Sequence, residues 1–120
     1  MDEKRAILTK LDELETDYLK EQKQLDDELD EILDEKESFR RGFEGLGSDL
    51  NHLFRTHEYD NNIHEAYSML EEAQEYGDSL LKKDQQKIED DLEDLTSHYR
   101  KNVLFYEEDL DLLKRKESNT

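Results

Sequence analysis

Apolar residues recur at intervals of three and four along almost the whole of this sequence, and this spacing constrains the fold more than any other feature. Near the N-terminus the series runs through Ile7, Leu11, Leu14 and Tyr18, with polar residues between them. Such a period places the apolar side chains on one narrow stripe of an α-helix. Because the sequence also contains no proline, we predict an all-α fold, an elongated antiparallel helical hairpin whose helices pair along a coiled-coil-like seam.

Composition and net charge limit both the size of the core and the kinds of molecule that the chain can bind. Charged residues make up 43% of the 120 residues and hydrophobic residues 32%, so a thick globular core is not expected. The net charge of −18 disfavours nucleic acid and favours a partner with a basic or apolar surface. No apolar run is long enough for membrane insertion or a cleavable signal peptide. We expect a cytoplasmic protein, and if it leaves the cell, it does not use a standard signal peptide.

Three of the four glycines cluster near residue 45, and they organise the predicted topology. Glycine weakens a helix by about 1 kcal/mol relative to alanine and adopts conformations that helices exclude. We therefore predict a turn at about residues 42–47, between a first arm at about 3–41 and a second arm at about 48–116. The whole chain, residues 1–120, then forms a single helical-hairpin domain.

The predicted turn carries bulky apolar residues, which is unusual for a purely connecting segment. Phe43 and Leu46 flank Gly45 there. They either plug the end of the hairpin core or present a recognition surface, and the turn alone favours the plug.

The second arm contains another candidate interruption. The polar residues at 59–62 favour turns and caps over helix interiors, so the arm either kinks or breaks there or continues as one helix. From Ile63 onward the apolar series resumes. It is weakest between Gln74 and Asp84, around Gly77, and we expect this segment to be soft.

The two predicted arms differ in length, and this difference carries the functional prediction. Folding at 42–47 pairs the first arm as far as about residue 87, which leaves 88–113 as an overhang of about 40 Å. Because an open apolar seam is marginal in water, we predict that the overhang binds another helix, from a second copy or a partner protein. The predicted contact residues are Ile88, Leu92, Leu95, Tyr99, Val103, Tyr106, Leu110 and Leu113.

Motifs for chemistry are absent from the sequence. It contains no H-E-x-x-H, no calcium-binding loop, no G-x-S-x-G and no phosphate-binding glycine loop. Its four histidines and 35 carboxylates are most simply solvated helix faces. We therefore predict no catalytic, cofactor-binding or metal-binding residues, and an enzyme, including a metal-dependent helical one, is the least favoured class.

Two short motifs stand apart from this background. The first is Phe43-Glu44-Gly45, and the second is Phe105 with Asp109, which share one helical face because they are four residues apart. On physical grounds alone, Phe105 widens the apolar stripe and Asp109 is one more surface acid. Together with the hairpin layout, the motifs resemble those of the ESAT-like W-x-G family of type VII secretion. Its members carry a W-x-G turn and a C-terminal aromatic-x-x-x-acid motif, and phenylalanine stands here for both aromatic residues.

The length, the charge and the missing tryptophan are more similar to the small α-helical targeting partners of LXG toxins in Gram-positive bacteria. The resemblance implies that Phe43, Gly45, Phe105 and Asp109 contribute to a recognition signal. It also implies a non-catalytic adaptor or targeting chaperone, co-exported or not. Its expected partner is the helical N-terminal domain of an LXG-type toxin, a second small helical protein, or both. The alternative is a self-associating coiled-coil scaffold or prefoldin-like chaperone without a secretion role.

Overall fold

Two long α-helices account for the fold. A computed structural model describes residues 2–56 and 61–119, with α1 at Asp2–Thr56 and α2 at Asn61–Ser118 and no strand within those ranges. The helices run antiparallel, so the predicted all-α helical hairpin is confirmed. Strong helix formers and the absence of proline favour such lengths, and pairing along one apolar stripe stabilises them.

The helix termini are stabilised by local contacts. Asp2 and Glu3 lie in the first turn of α1 and Arg115 and Lys116 in the last turn of α2, where their charges complement the helix dipole. The hydroxyl of Thr56 lies 3.2 Å from the carbonyl oxygen of His52 and 3.0 Å from that of Leu53. At the end of α2, the hydroxyl of Ser118 donates to the carbonyl of Lys114. These hydroxyls bond back to carbonyls of the preceding turn, which is the usual arrangement for serine and threonine inside a helix.

The chain divides into two compact units, and each contains a stretch of both helices. Unit 1 consists of Met1–Asp27 and Ile88–Thr120, and unit 2 consists of Glu28–Lys87. In unit 1, Tyr18 stacks on Tyr99 with ring centroids 4.2 Å apart and planes inclined by 8°. The hydroxyls of Tyr18 and Thr96 share a hydrogen bond of 3.2 Å. This polar contact inside an apolar seam fixes the register of the two helices in unit 1.

The seam of unit 2 contains both a polar hydrogen bond and aromatic contacts. Lys36 donates a hydrogen bond of 2.9 Å from Nζ to Oε1 of Gln85. The tip of the Phe39 ring lies directly against Gly77, where a Cβ atom would overlap it. Phe39 also contacts Phe43, with ring centroids 4.5 Å apart. The absence of a side chain at Gly77 thus creates the space that Phe39 fills.

The predicted glycine turn is wrong, and so are the arm boundaries that followed from it. Residues 42–47 lie inside α1, which continues to Thr56, and none of the glycines has a positive φ. The helical cost of about 1 kcal/mol per glycine is offset by the pairing of α1 on both sides of the cluster. Of the predicted interruption near 59–62, residues 59 and 60 lie outside the described residues, and residues 61 and 62 belong to the first turn of α2.

The predicted overhang is also wrong. Because α1 continues past the glycines, unit 1 pairs residues 88–113 with the first part of α1, as the Tyr18–Tyr99 stack shows. All eight residues assigned to an open partner-binding seam are buried or half-buried. Gln74 and Asp84, which the predicted heptad series places on the seam, are both exposed, and Gln85 takes the seam position beside Lys36.

Candidate protein interaction surfaces

The hairpin leaves an unusually large surface in contact with solvent. Its accessible surface is 9876 Å² for a mass of 14.4 kDa, whereas a compact monomer of this mass exposes about 6,800 Å². Ile63 and Ile88 are the only buried apolar side chains among the described residues. Two paired helices cover one stripe of each other, so their remaining faces are available for binding.

The described part of the chain shows no evident catalytic or metal-binding site. No group of three or more potential ligands there is arranged to hold a metal ion. An open groove in unit 1, with a volume of about 510 Å³, has a floor of Leu25 and Leu95 and an acidic rim that includes Glu21, Asp91 and Asp94. The groove is open to solvent. Neither helix, over its described residues, has a segment apolar enough to span a membrane.

The three residues of the predicted turn motif lie along α1 and have different environments. Phe43 is half-buried against Phe39 and belongs to the seam of unit 2. Gly45 is exposed, and a Cβ atom placed on it would meet nothing within 4 Å. Leu46 is exposed. The structure therefore does not gather these residues at a hairpin tip, and it gives them no common role.

The two residues of the predicted C-terminal motif are brought together. Phe105 and Asp109 lie one turn apart on α2 in unit 1. Phe105 is 60% exposed, and its ring meets Tyr106 edge to face at 5.4 Å. Asp109 is half-buried. Both directly precede a seam residue, Tyr106 and Leu110 respectively, so they share one flank of α2.

A second exposed apolar surface lies in unit 2, and the sequence reasoning did not identify it. We call it the flank face, and it comprises Leu46, Leu53, Met69, Tyr76 and Leu80. Met69 and Tyr76 are the most exposed of the large apolar side chains, at 71% and 69%. The signal that could have revealed this surface is positional, because each member directly precedes a seam position of its helix.

Another side of α1 in unit 2 carries a cluster of ion pairs in place of exposed apolar side chains. Glu37 accepts hydrogen bonds from Arg40, at 2.6 Å, and from Arg41, at 3.1 Å. Arg40 also bonds Glu44. The hydrogen bond from Arg40 is the main cause that lowers the pKa of Glu37, and the same bond raises the pKa of Arg40. These exposed i,i+3 and i,i+4 pairs support α1 locally.

Comparisons with known proteins add no assignment. No protein-family model matches the chain, and no curated protein and no solved structure shows significant similarity to it.

Proposed function

We propose that the chain is a non-catalytic adaptor that binds the helical N-terminal domain of an LXG-type toxin, with or without a second small helical protein, and presents a type VII secretion signal. The observation that carries this proposal is the exposed ring of Phe105, one helical turn from Asp109. An exposed aromatic ring is available to a partner, and aromatic side chains supply much of the contact area and binding energy at protein interfaces.

The proposal rests on the C-terminal motif and no longer on a glycine turn. Phe43 is part of the seam and Gly45 lies inside α1, so neither contributes a tip motif. The hairpin layout and the net charge of −18 support a partner with an apolar and basic helical surface. In this proposal the adaptor resides in the cytoplasm of a Gram-positive bacterium and reaches the secretion machinery with its toxin.

An export assay tests the proposal in cells that contain the toxin and the secretion machinery. Phe105→Ala and Asp109→Asn should each lower toxin export at least tenfold while the adaptor stays folded by circular dichroism. Leu104→Ala is the matched control, because Leu104 is 57% exposed and adjacent in sequence but does not share the face of Asp109. Equal export by all three variants would show that the motif is not a secretion signal.

A further inference from the structure

We infer that the flank face of unit 2 is a docking surface for one amphipathic helix of a partner protein that carries basic residues beside its apolar stripe. The inference deepens the proposed function and rests on it for the class of partner. Its own basis is the placement of five exposed apolar side chains on a single side of unit 2.

The side on which these residues lie follows from the antiparallel pairing. In an antiparallel helix pair, residues that directly precede seam positions lie on the same side of the pair in both helices. Leu46 and Leu53 precede the seam positions Gly47 and Phe54 of α1. The three members from α2, Met69, Tyr76 and Leu80, precede Leu70, Gly77 and Leu81. Both helices therefore contribute apolar side chains to the same side of unit 2.

Small residues lie among these large ones. Gly42 and Ala66 also directly precede seam residues, Phe43 and Tyr67, and so belong to the same side. A Cβ atom at Gly42 would meet nothing within 4 Å, and its φ is not positive, so neither packing nor backbone geometry requires glycine there. Large side chains beside small ones form ridges and a groove, the shape into which another helix packs. Gly42 is thus a cost to α1 that close approach of a partner backbone would explain.

The opposite side of unit 2 carries mostly charged and polar side chains. The residues that directly follow seam positions there include Arg40, Glu44 and Arg55, and the exposed apolar exception is Leu33. Five of the six exposed large apolar side chains of unit 2 therefore lie on one side, together with acidic residues such as Glu35 and Asp49, and the other side carries Leu33 alone. This asymmetry indicates a specific face, since a surface that only had to be soluble would not segregate its apolar residues.

The charged residues around the flank face indicate which kind of helix it binds. Asp49, Glu65 and Glu72 lie three or four residues from members of the flank face, while Lys83 stands near Leu80 at one end. A partner helix with lysine or arginine beside its apolar stripe complements this mainly acidic border. A second copy of the chain would bring another net charge of −18 to the same border, so self-association through this face is disfavoured.

Site-specific photo-crosslinking in cells that encode the full chain tests the inference. A photoreactive phenylalanine is placed at position 69 or 76, or at the control positions 33 and 104, which are exposed leucines outside the flank face. The expected product forms from 69 and 76 only, with a protein whose crosslinked segment has helical apolar spacing and flanking lysines or arginines. Crosslinks from 33 or 104 alone, or no crosslink from 69 and 76, would overturn the inference.

Two further outcomes separate this inference from the proposed function. If positions 69 and 76 capture a basic amphipathic helix that is not from an LXG-type toxin, the docking surface stands and the toxin assignment fails. If the toxin domain is captured through another face, the toxin assignment stands and the docking surface fails. Capture of a second copy at these positions would overturn the charge argument and with it the inference.

Binding strength gives a quantitative check once the captured segment has been made as a peptide. Met69→Ala and Tyr76→Ala should each weaken binding of that peptide to the full chain about tenfold, because exposed aromatic and large apolar anchors dominate such interfaces. Leu33→Ala is the matched control and should change binding less than twofold. Equal effects of all three variants would contradict a localised docking face.

Discussion

Alanine substitutions at two glycines should change stability in opposite directions. Gly45→Ala adds helix propensity at a position where a Cβ atom meets nothing within 4 Å, so we expect about 1 kcal/mol of added stability. For a domain of this size, that corresponds to a rise of about 3–6 °C in melting temperature. Gly77→Ala brings the same gain in propensity, but its Cβ atom would overlap the ring of Phe39.

The half-buried ring of Phe39 also packs against Phe43, with ring centroids 4.5 Å apart, so moving it away from Gly77 would disturb this contact. Forcing one extra carbon into a packed seam costs about 1–3 kcal/mol. This cost exceeds the propensity gain, and we expect a net loss of about 1 kcal/mol for Gly77→Ala. Urea unfolding, followed by circular dichroism at helical wavelengths, measures both variants against the natural chain.

A double substitution isolates the proposed overlap. Phe39→Leu replaces the ring with a shorter side chain, so adding Gly77→Ala to it should stabilise the chain by about 0.5–1 kcal/mol. The alanine at 77 would then be destabilising with Phe39 and stabilising with leucine. If Gly77→Ala alone raises stability as much as Gly45→Ala does, Phe39 does not occupy the space beside Gly77 and the register of unit 2 is wrong.

Two further predictions concern the seam of unit 1 and the charged side of unit 2. Tyr99→Ala should lower the free energy of unfolding by about 2 kcal/mol, because it removes a half-buried ring stacked on Tyr18. Tyr18→Phe should lower it by about 0.5–1 kcal/mol, because it removes the hydrogen bond to Thr96. Urea unfolding measures both changes. The pKa of Glu37 is lowered in the folded chain, chiefly by the hydrogen bond from Arg40, so its contribution is complete above the unfolded pKa and is lost as the pH falls through the folded one. Glu37→Gln should therefore lower the melting temperature at neutral pH, and this difference should vanish in melts at strongly acidic pH.

The sequence was sufficient to predict the seam because its period depends only on local spacing. Ile88, Leu92 and Tyr99 lie on the seam of α2 in the structure, as their three- and four-residue intervals predicted. The interval between Phe105 and Asp109 likewise placed both residues on one face. These predictions needed no information about which parts of the chain meet in space.

The position of the turn could not be predicted in the same way. Three glycines weaken a helix by about 3 kcal/mol in total, but this local cost is smaller than the packing available along a long seam. The misplaced turn then shifted the register. It placed Tyr18 opposite about residue 72, whereas the structure stacks Tyr18 on Tyr99. With the wrong register, the apolar side chains of the flank face could not be matched across the two helices, and the surface remained unrecognised.

If the flank face is a docking surface, folding and binding use different residues of this hairpin, and this separation can be measured. Tyr99 packs inside the seam of unit 1, whereas Tyr76 is largely exposed on the flank face of unit 2. Truncation of Tyr99 should therefore lower stability, while truncation of Tyr76 should lower partner affinity and leave the free energy of unfolding within about 0.5 kcal/mol. A thin hairpin achieves this separation because each helix buries one stripe in the pair and leaves its flank for a third helix. Loss of stability in Tyr76→Ala would place that side chain in the fold and remove it from the docking surface.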